Sequence, residues 1–191
     1  MLRKQFLFFC TSAILIVACG ENTKSAETTA ANDSNATPKT ENPPASSEPV
    51  RSTIKVAIKD GPMAGTYVAE CRQGCTSYGI AGEKVLGNQY SEVNKGPKEL
   101  SSVQLIVDDI NGDKETKEFT LTVSLGDWVN NKGTNFNINT RNGKNEGSGT
   151  ADIKYGGEKA KVKITGKSKE GPELEVEIDA NKLLTASNLG Q

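Results

Sequence analysis

The sequence predicts an all-β domain, an antiparallel β-sandwich of about eight strands. Apolar and polar residues alternate along short segments, and this period of two is typical of antiparallel strands that face water on one side. No segment after residue 51 has the apolar stripe of a helix. A small β-barrel is the alternative. We favour the sandwich because a ligand-holding barrel needs more large residues around its cavity.

The individual strands are predicted from the alternation and from the turns between them. The alternating segments are, in chain order, residues 54–58, 103–107, 119–125, 136–138, 151–155, 160–164 and 174–178. Pairs typical of tight turns lie between the segments: Asp60-Gly61, Asn111-Gly112, Asn142-Gly143, Gly156-Gly157 and Glu170-Gly171. Each pair ends in glycine, which adopts positive φ without a steric penalty.

The last three strands are predicted to form an up-and-down meander over residues 149–155, 159–165 and 173–179. Lysines alternate on the second of these strands and acidic residues on the third. We expect Lys161 and Lys163 to face Glu175 and Glu177, a pairing of opposite charges that would help to fix the register.

The N-terminus has the composition of a cleaved leader. Arg3 and Lys4 precede an apolar run over residues 6–17, which ends at the small residue Ala18. The run is too short to cross a bilayer core of about 30 Å as a helix. The sequence therefore predicts a signal peptide over residues 1–18.

Ile16-Val17-Ala18-Cys19 resembles the lipobox of bacterial lipoproteins. The resemblance implies that Cys19 becomes the first residue of the mature chain and carries a diacylglyceryl group, with a further palmitate-type acyl chain on its amine. Since each buried methylene contributes about 0.8 kcal/mol, two or three acyl chains hold a protein on a membrane. Gly20 follows the cysteine where an Asp would favour the inner membrane. We therefore expect a lipid-anchored protein of the bacterial cell envelope, at the outer membrane.

Residues 19–51 are predicted to be a lipidated, disordered tether, because Thr, Ala, Asn, Ser, Glu and Pro dominate them and they contain no aromatic residue. The β-sandwich domain follows at 52–184, with a C-terminal tail at 185–191. The whole chain has a formal net charge of −1 and no basic cluster. It therefore lacks the basic surface that nucleic-acid binding requires, and no nucleic-acid partner is expected.

The four cysteines are assigned three different roles. Cys10 leaves with the signal peptide and Cys19 is the lipidation site, so Cys71 and Cys75 remain. Outside the cytoplasm we expect these two to form a disulfide that pins a turn. A redox role is less favoured because the spacing is C-x-x-x-C. Zinc is less favoured because no histidine completes a site.

The chain contains no histidine, which excludes Ser-His-Asp and Cys-His catalysis. No pair of acidic residues stands out from those on the strand faces as a glycosidase pair would. The sequence therefore predicts a protein that is not an enzyme, with no catalytic residues and no cofactor.

A calcium site is one hypothesis for the acidic stretch that contains Asp108, Asp109, Asn111 and Asp113. Their oxygens suit calcium, but the glycine is not at the offset that an EF-hand requires. A hairpin turn needs the same residue types. The favoured interpretation is the turn, with no metal.

The candidate ligand-binding residues are Trp128, Asn130, Asn135, Asn137 and Asn139. A tryptophan stacks on a sugar or peptide, and amides hydrogen-bond to it. The alternative is structural: Trp128 covers the edge of the core, and the asparagines fill turns and a solvated strand.

Residues 160–180, with the sequence AKVKITGKSKEGPELEVEIDA, are similar to the mycobacterial 19-kilodalton lipoprotein antigen family. The resemblance implies a surface-exposed antigen with an adhesin-like role. Cys71 and Cys75 lie close together and far from the last strand, unlike the cysteines of that family, so no residue roles are transferred.

Together these features predict a membrane-anchored envelope lipoprotein whose β-domain binds an extracytoplasmic glycan or protein without catalysis. One alternative is a structural or assembly accessory of the outer membrane. Another is a barrel-type carrier of an apolar ligand.

Overall fold

The computed structural model describes residues 48–127, 130 and 132–189. Two antiparallel sheets of six and five strands make up the domain and do not close into a barrel. The predicted sandwich is confirmed and the barrel alternative is wrong. The predicted signal peptide, Cys19 and most of the tether lie outside the described residues. Within the described ranges, no helix has the length and apolar character to cross a membrane.

Eleven strands follow one another in the described chain: β1 (Ser52–Ile58), β2 (Gly65–Cys71), β3 (Thr76–Tyr78), β4 (Leu86–Ser91), β5 (Leu100–Val107), β6 (Lys114–Thr116), β7 (Thr120–Leu125), β8 (Thr134–Asn139), β9 (Ser148–Gly156), β10 (Lys159–Lys167) and β11 (Glu173–Ala180). Sheet A has the order β2-β1-β11-β10-β9-β6, and sheet B the order β3-β4-β5-β7-β8. A 3-10 turn lies at Arg141–Gly143.

The predicted C-terminal meander is confirmed, with β9, β10 and β11 paired in sequence. Lys163 lies opposite Glu177, and its Nζ is 3.1 Å from a Glu175 carboxylate oxygen. Lys161 lies opposite Asp179 and contacts that residue at 3.1 Å, whereas the prediction gave it Glu175 or Glu177 as partner. The prediction for Lys161 was wrong because the register of β10 against β11 is displaced by two residues from the one that the charge pattern indicates.

The core is aliphatic and lies between the inner faces of the two sheets. Its largest fully buried side chains are Phe119, Ile54, Leu86, Leu105, Ile110, Leu121, Leu125, Ile138, Ile153, Ile164, Ile178 and Leu183. Gly149 on β9 and Gly166 on β10 lie opposite each other on the inner face of sheet A. Phe119 and Ile138 pack against these two glycines, since a Cβ added to Gly166 would lie 2.9 Å from Ile138 Cδ1.

The predicted disulfide between Cys71 and Cys75 is present, with a Cα–Cα distance of 6.0 Å. It spans the connection by which the chain leaves β2 at the edge of sheet A and enters β3 at the edge of sheet B. Closing a loop of this length contributes about 2 kcal/mol in the chain-entropy model. The disulfide therefore fixes the place where the chain changes sheets.

A buried polar network beside this crossing joins the two sheets. The hydroxyls of Ser52 on β1 and Thr76 on β3 are 3.0 Å apart. Thr76 Oγ1 donates to Asn88 Oδ1 at 3.0 Å, and Asn88 Nδ2 donates to the Val103 carbonyl at 2.8 Å. Because every member has a partner, the network costs little and ties β1 to three strands of sheet B.

Candidate binding face

The two sheets differ sharply in charge. Every strand of sheet A contains at least one Lys, Asp or Glu, and none of the five strands of sheet B contains a charged residue. The contrast concerns the outer faces, since both inner faces form the core. The outer face of sheet B is thus the candidate site, and we name it the uncharged face.

Strand register arranges the uncharged face in three rows across the sheet. The first row contains Ser77, Gly87, Ile106, Thr120 and Asn139; the second contains Gln89, Gln104, Thr122 and Asn137; the third contains Ser91, Ser102, Ser124 and Asn135. Neighbouring strands lie about 4.8 Å apart, and same-side residues about 6.7 Å apart along a strand. The result is an array of hydroxyl and amide groups that also contains Gly87 and Ile106, and in its third row Ser102 and Ser124 are buried.

Hydrogen bonds within the array hold the part formed by β7 and β8. Thr120 Oγ1 donates to Asn139 Oδ1 at 3.2 Å, and Thr122 Oγ1 donates to Asn137 Oδ1 at 3.0 Å. Threonine is stiff about χ1, so each pair keeps the asparagine amide in one orientation. This half of the face is therefore preorganised.

The outer edge of β8 is closed by charged groups from neighbouring loops. Glu170 accepts hydrogen bonds from the Asn137 backbone N–H and from its Nδ2, both at 2.7 Å. Glu146 pairs with Lys169 at 2.9 Å, and the hydrogen bond from Lys169 lowers the pKa of Glu146. Glu146 and Lys169 therefore compensate each other at the rim, and Glu170 places a carboxylate at the β8 edge of the face, against Asn137.

The half formed by β4 and β5 has free polar groups. Gln89 and Gln104 lie opposite each other and are exposed, and their amides have no hydrogen-bond partner among the described residues. Beside them is a shallow groove of about 240 Å³, to which Gly87, Ala81 and Ile106 contribute. This half combines unused donors and acceptors with a small apolar floor.

The predicted ligand-binding residues have separate outcomes. Asn135, Asn137 and Asn139 lie together on the uncharged face. Asn130 is instead bound to Asp127, to which its Nδ2 donates at 2.6 Å. Trp128 lies outside the described residues, so its placement beside the asparagines stays a prediction.

Two of the four residues considered for calcium, Asp108 and Asp113, have partners within the protein. Arg141 donates to both carboxylate oxygens of Asp108, and this hydrogen bonding raises the pKa of Arg141. Asp113 accepts from the Tyr155 backbone N–H at 3.2 Å. The described residues contain no group of three or more carboxylate, thiolate or imidazole side chains placed to hold a metal ion.

No family model, curated protein or solved structure matches the chain. Any functional assignment therefore depends on the residues of the site.

The outer face of sheet A is the charged counterpart of the uncharged face. Lys59 and Lys163 lie on either side of Glu175, at 2.7 and 3.1 Å, and their hydrogen bonds lower the pKa of Glu175 to about 2, with Lys59 the larger cause. Exposed pairs of this kind contribute little to stability. Lysines of β1 and β10 flank the acidic residues of β11 on this face, and Lys161 also lies opposite Lys154 of β9.

Sequence analysis identified the asparagines but missed the remainder of the face. The missed residues are Gln89, Gln104 and the Ser and Thr residues around them. Some lie on strands that were not predicted. Others lie on predicted strands, where they were interpreted only as the polar residues of the alternating pattern. The available indication was the type of residue between the apolar ones: Lys, Asp or Glu in sheet A, and Ser, Thr, Gln or Asn in sheet B. Grouping strands by that type separates the two sheets.

Proposed function

We propose that this protein is a lipid-anchored envelope lipoprotein whose β-domain binds a neutral glycan on the uncharged face, without catalysis. The observation that carries the proposal is the absence of charge from all five strands of sheet B. In a chain with 25% charged residues, this outer sheet face is built from hydroxyls and amides, with Gly87 and Ile106 as its apolar members.

A neutral sugar chain matches this face chemically. When a sugar hydroxyl leaves water and bonds to a protein amide or hydroxyl, the hydrogen bonds lost and gained have similar strength. Burying an unpaired charge under a ligand, in contrast, is costly. Gln89 and Gln104 supply donors and acceptors, and Ile106 supplies an apolar contact for the C–H side of a sugar ring. The Thr-Asn pairs of β7 and β8 add amides that are already oriented, which lowers the entropy lost on binding.

We expect Gln104→Arg to weaken glycan binding about tenfold or more, because the guanidinium would lie at the centre of the uncharged face and lose water without gaining a partner. Retention of the purified protein on immobilised neutral and acidic polysaccharides from the envelope of the producing cell measures this effect. Thr165→Arg, at an exposed position on β10 of sheet A, is the matched control and should bind as the unmodified protein does. The proposal would be contradicted if the unmodified protein were retained by acidic polysaccharides only or by none of them. Equal retention of the Gln104→Arg and Thr165→Arg variants would also contradict it.

The anchoring part of the proposal rests on the lipobox resemblance at Cys19. Cys19→Ser is expected to move the protein from the membrane fraction to the soluble fraction, because the acyl chains have no other attachment site. Cell fractionation followed by immunoblotting measures the change. Cys10→Ser, which alters a cysteine within the predicted signal peptide, serves as the control and should leave the protein on the membrane. Continued membrane association of the Cys19 variant would show that another segment holds it there.

A further inference from the structure

The edges of the two sheets are protected to different degrees. On sheet B, the free side of β3 pairs with the C-terminal segment, where Tyr78 N–H donates to the Leu184 carbonyl at 2.9 Å. The free side of β8 is covered by Glu146 and by the β10–β11 turn, where Lys169 N–H donates to the Asn137 carbonyl at 2.8 Å. Both edges of sheet B are therefore closed.

Sheet A differs, because one of its edges is long and open. Its edge strand β6 has only three residues, but β2 has seven. Within the described part of the chain, β2 pairs with β1 alone. Natural proteins usually block such an edge with Lys, Pro or a bulge. None of these interrupts the run of β2 in its pairing with β1, and its one charged side chain, Glu70, is paired with Arg72 at 3.0 Å.

The middle of β2 also has an exposed apolar side chain. Val68 is 62% exposed, the largest exposed fraction among the exposed large apolar residues of the described chain. It points away from the core, between the exposed residues Thr66 and Glu70. An open strand edge with an exposed valine at its centre is suited to pairing with another strand.

We propose that two copies of this chain associate through antiparallel pairing of their β2 strands about a twofold axis at Val68. In this register Val68 lies opposite Val68 of the second copy, Thr66 opposite Glu70, and Tyr67 opposite Ala69. No charge faces a like charge, since Glu70 also retains its own partner Arg72 at 3.0 Å. The strand is thus complementary to itself, which favours a second copy over an unrelated strand.

The pairing makes one continuous twelve-stranded sheet from two copies of sheet A, each of which has six strands. Adjacent antiparallel strands are related by an axis perpendicular to their sheet, so both uncharged faces lie on the same side of the dimer. Two faces directed the same way would bind a polymer bivalently, with a gain in avidity.

Cysteine cross-linking of the full chain in membranes of producing cells tests the register. In the proposed dimer the two Val68 Cα atoms lie about 4.5–5.5 Å apart, within disulfide range. Val68→Cys should therefore give a disulfide-linked dimer on a non-reducing gel after treatment with diamide, a thiol oxidant. Thr66→Cys, on the same exposed side of β2, should not, because its copies would lie about 13 Å apart along the strand. The double variant Thr66→Cys/Glu70→Cys should cross-link again.

Sedimentation of the full chain in detergent provides a second measurement. The unmodified protein should show a concentration-dependent dimer, and Val68→Lys should raise its dissociation constant at least tenfold, since it opposes two ammonium groups at the axis. Thr165→Lys, on β10, should leave the dimer unchanged. If Val68→Cys stays monomeric under oxidation while its thiol reacts with maleimide, or if the unmodified protein is a monomer at all concentrations, the proposal is wrong and β2 serves a different partner.

Discussion

Replacing Phe119 by alanine is expected to lower the free energy of unfolding by about 3–5 kcal/mol. Phe119 is fully buried immediately before β7, and its ring packs closely over Gly149, since a Cβ added there would lie 3.2 Å from Phe119 Cζ. Its backbone is held on both sides by Thr140, whose N–H donates to the Phe119 carbonyl at 3.0 Å. Because the backbone cannot move inward, the space left by the ring stays largely empty.

Urea unfolding followed by circular dichroism measures this change. The control is Glu118→Ala at the neighbouring exposed position, which should alter stability by no more than about 0.5 kcal/mol. A Phe119→Leu variant should lose less than the alanine variant, because it refills part of the space. A loss below about 1.5 kcal/mol for Phe119→Ala would mean that sheet B collapses onto sheet A more readily than the structure indicates.

The second large effect is expected at Gly166, where alanine should cost about 3 kcal/mol through overpacking. A Cβ at this position would lie 2.3 Å from the Ser148 carbonyl oxygen and 2.8 Å from Gly149 Cα. Both atoms belong to the backbone of β9, so only separation of β9 from β10 relieves the contact. Separation would break ladder hydrogen bonds at the end of the β9–β10 pair where Lys167 lies opposite Ser148.

Gly156→Ala is the matched control for Gly166→Ala. Gly156 ends β9 in the same strand pair, and a Cβ added there meets no atom within 4 Å. Thermal unfolding of both variants should show a clear loss for Gly166→Ala and almost none for Gly156→Ala. Equal melting temperatures for the two would contradict the close packing of the sheets at the glycine pair.

The meander was predictable because its local and tertiary preferences agree. Along β9, β10 and β11 every inward residue is apolar or glycine and the outward ones are mostly charged, and glycines with positive φ, Gly157 and Gly171, lie in the connecting turns. The alternation of apolar and polar residues, the turn residues and the charge pattern therefore all indicate the same structure.

The missed strands depend on contacts that a single segment does not reveal. In β4 the inward positions are Leu86, Asn88 and Tyr90, and Asn88 is buried only because Thr76 and Val103 supply its hydrogen bonds. In β2 an exposed valine stands where alternation predicts a polar residue. Propensity and periodicity act within a segment, so partners from elsewhere in the chain override them.

The candidate site was predictable only in part for a related reason. Three asparagines of β8 lie on the uncharged face at alternate positions of one strand. The sequence alone can indicate such a pattern. The face itself exists because β4, β5 and β7 lie beside β8, and this order depends on pairing between strands that are distant in sequence. A site built across strands requires the sheet order as well as the residues.

The position of β1 has a consequence for how the chain matures. The first strand lies between β2 and the last strand β11, with Ser52 opposite Ala180. During synthesis β11, one of the two partners of β1, is made last, so sheet A stays incomplete and its strand edges stay open until nearly the whole domain has emerged. Chains dominated by such long-range pairing fold slowly, in milliseconds to seconds. Until β11 is available, the open edges of the incomplete sheet A are therefore exposed to aggregation.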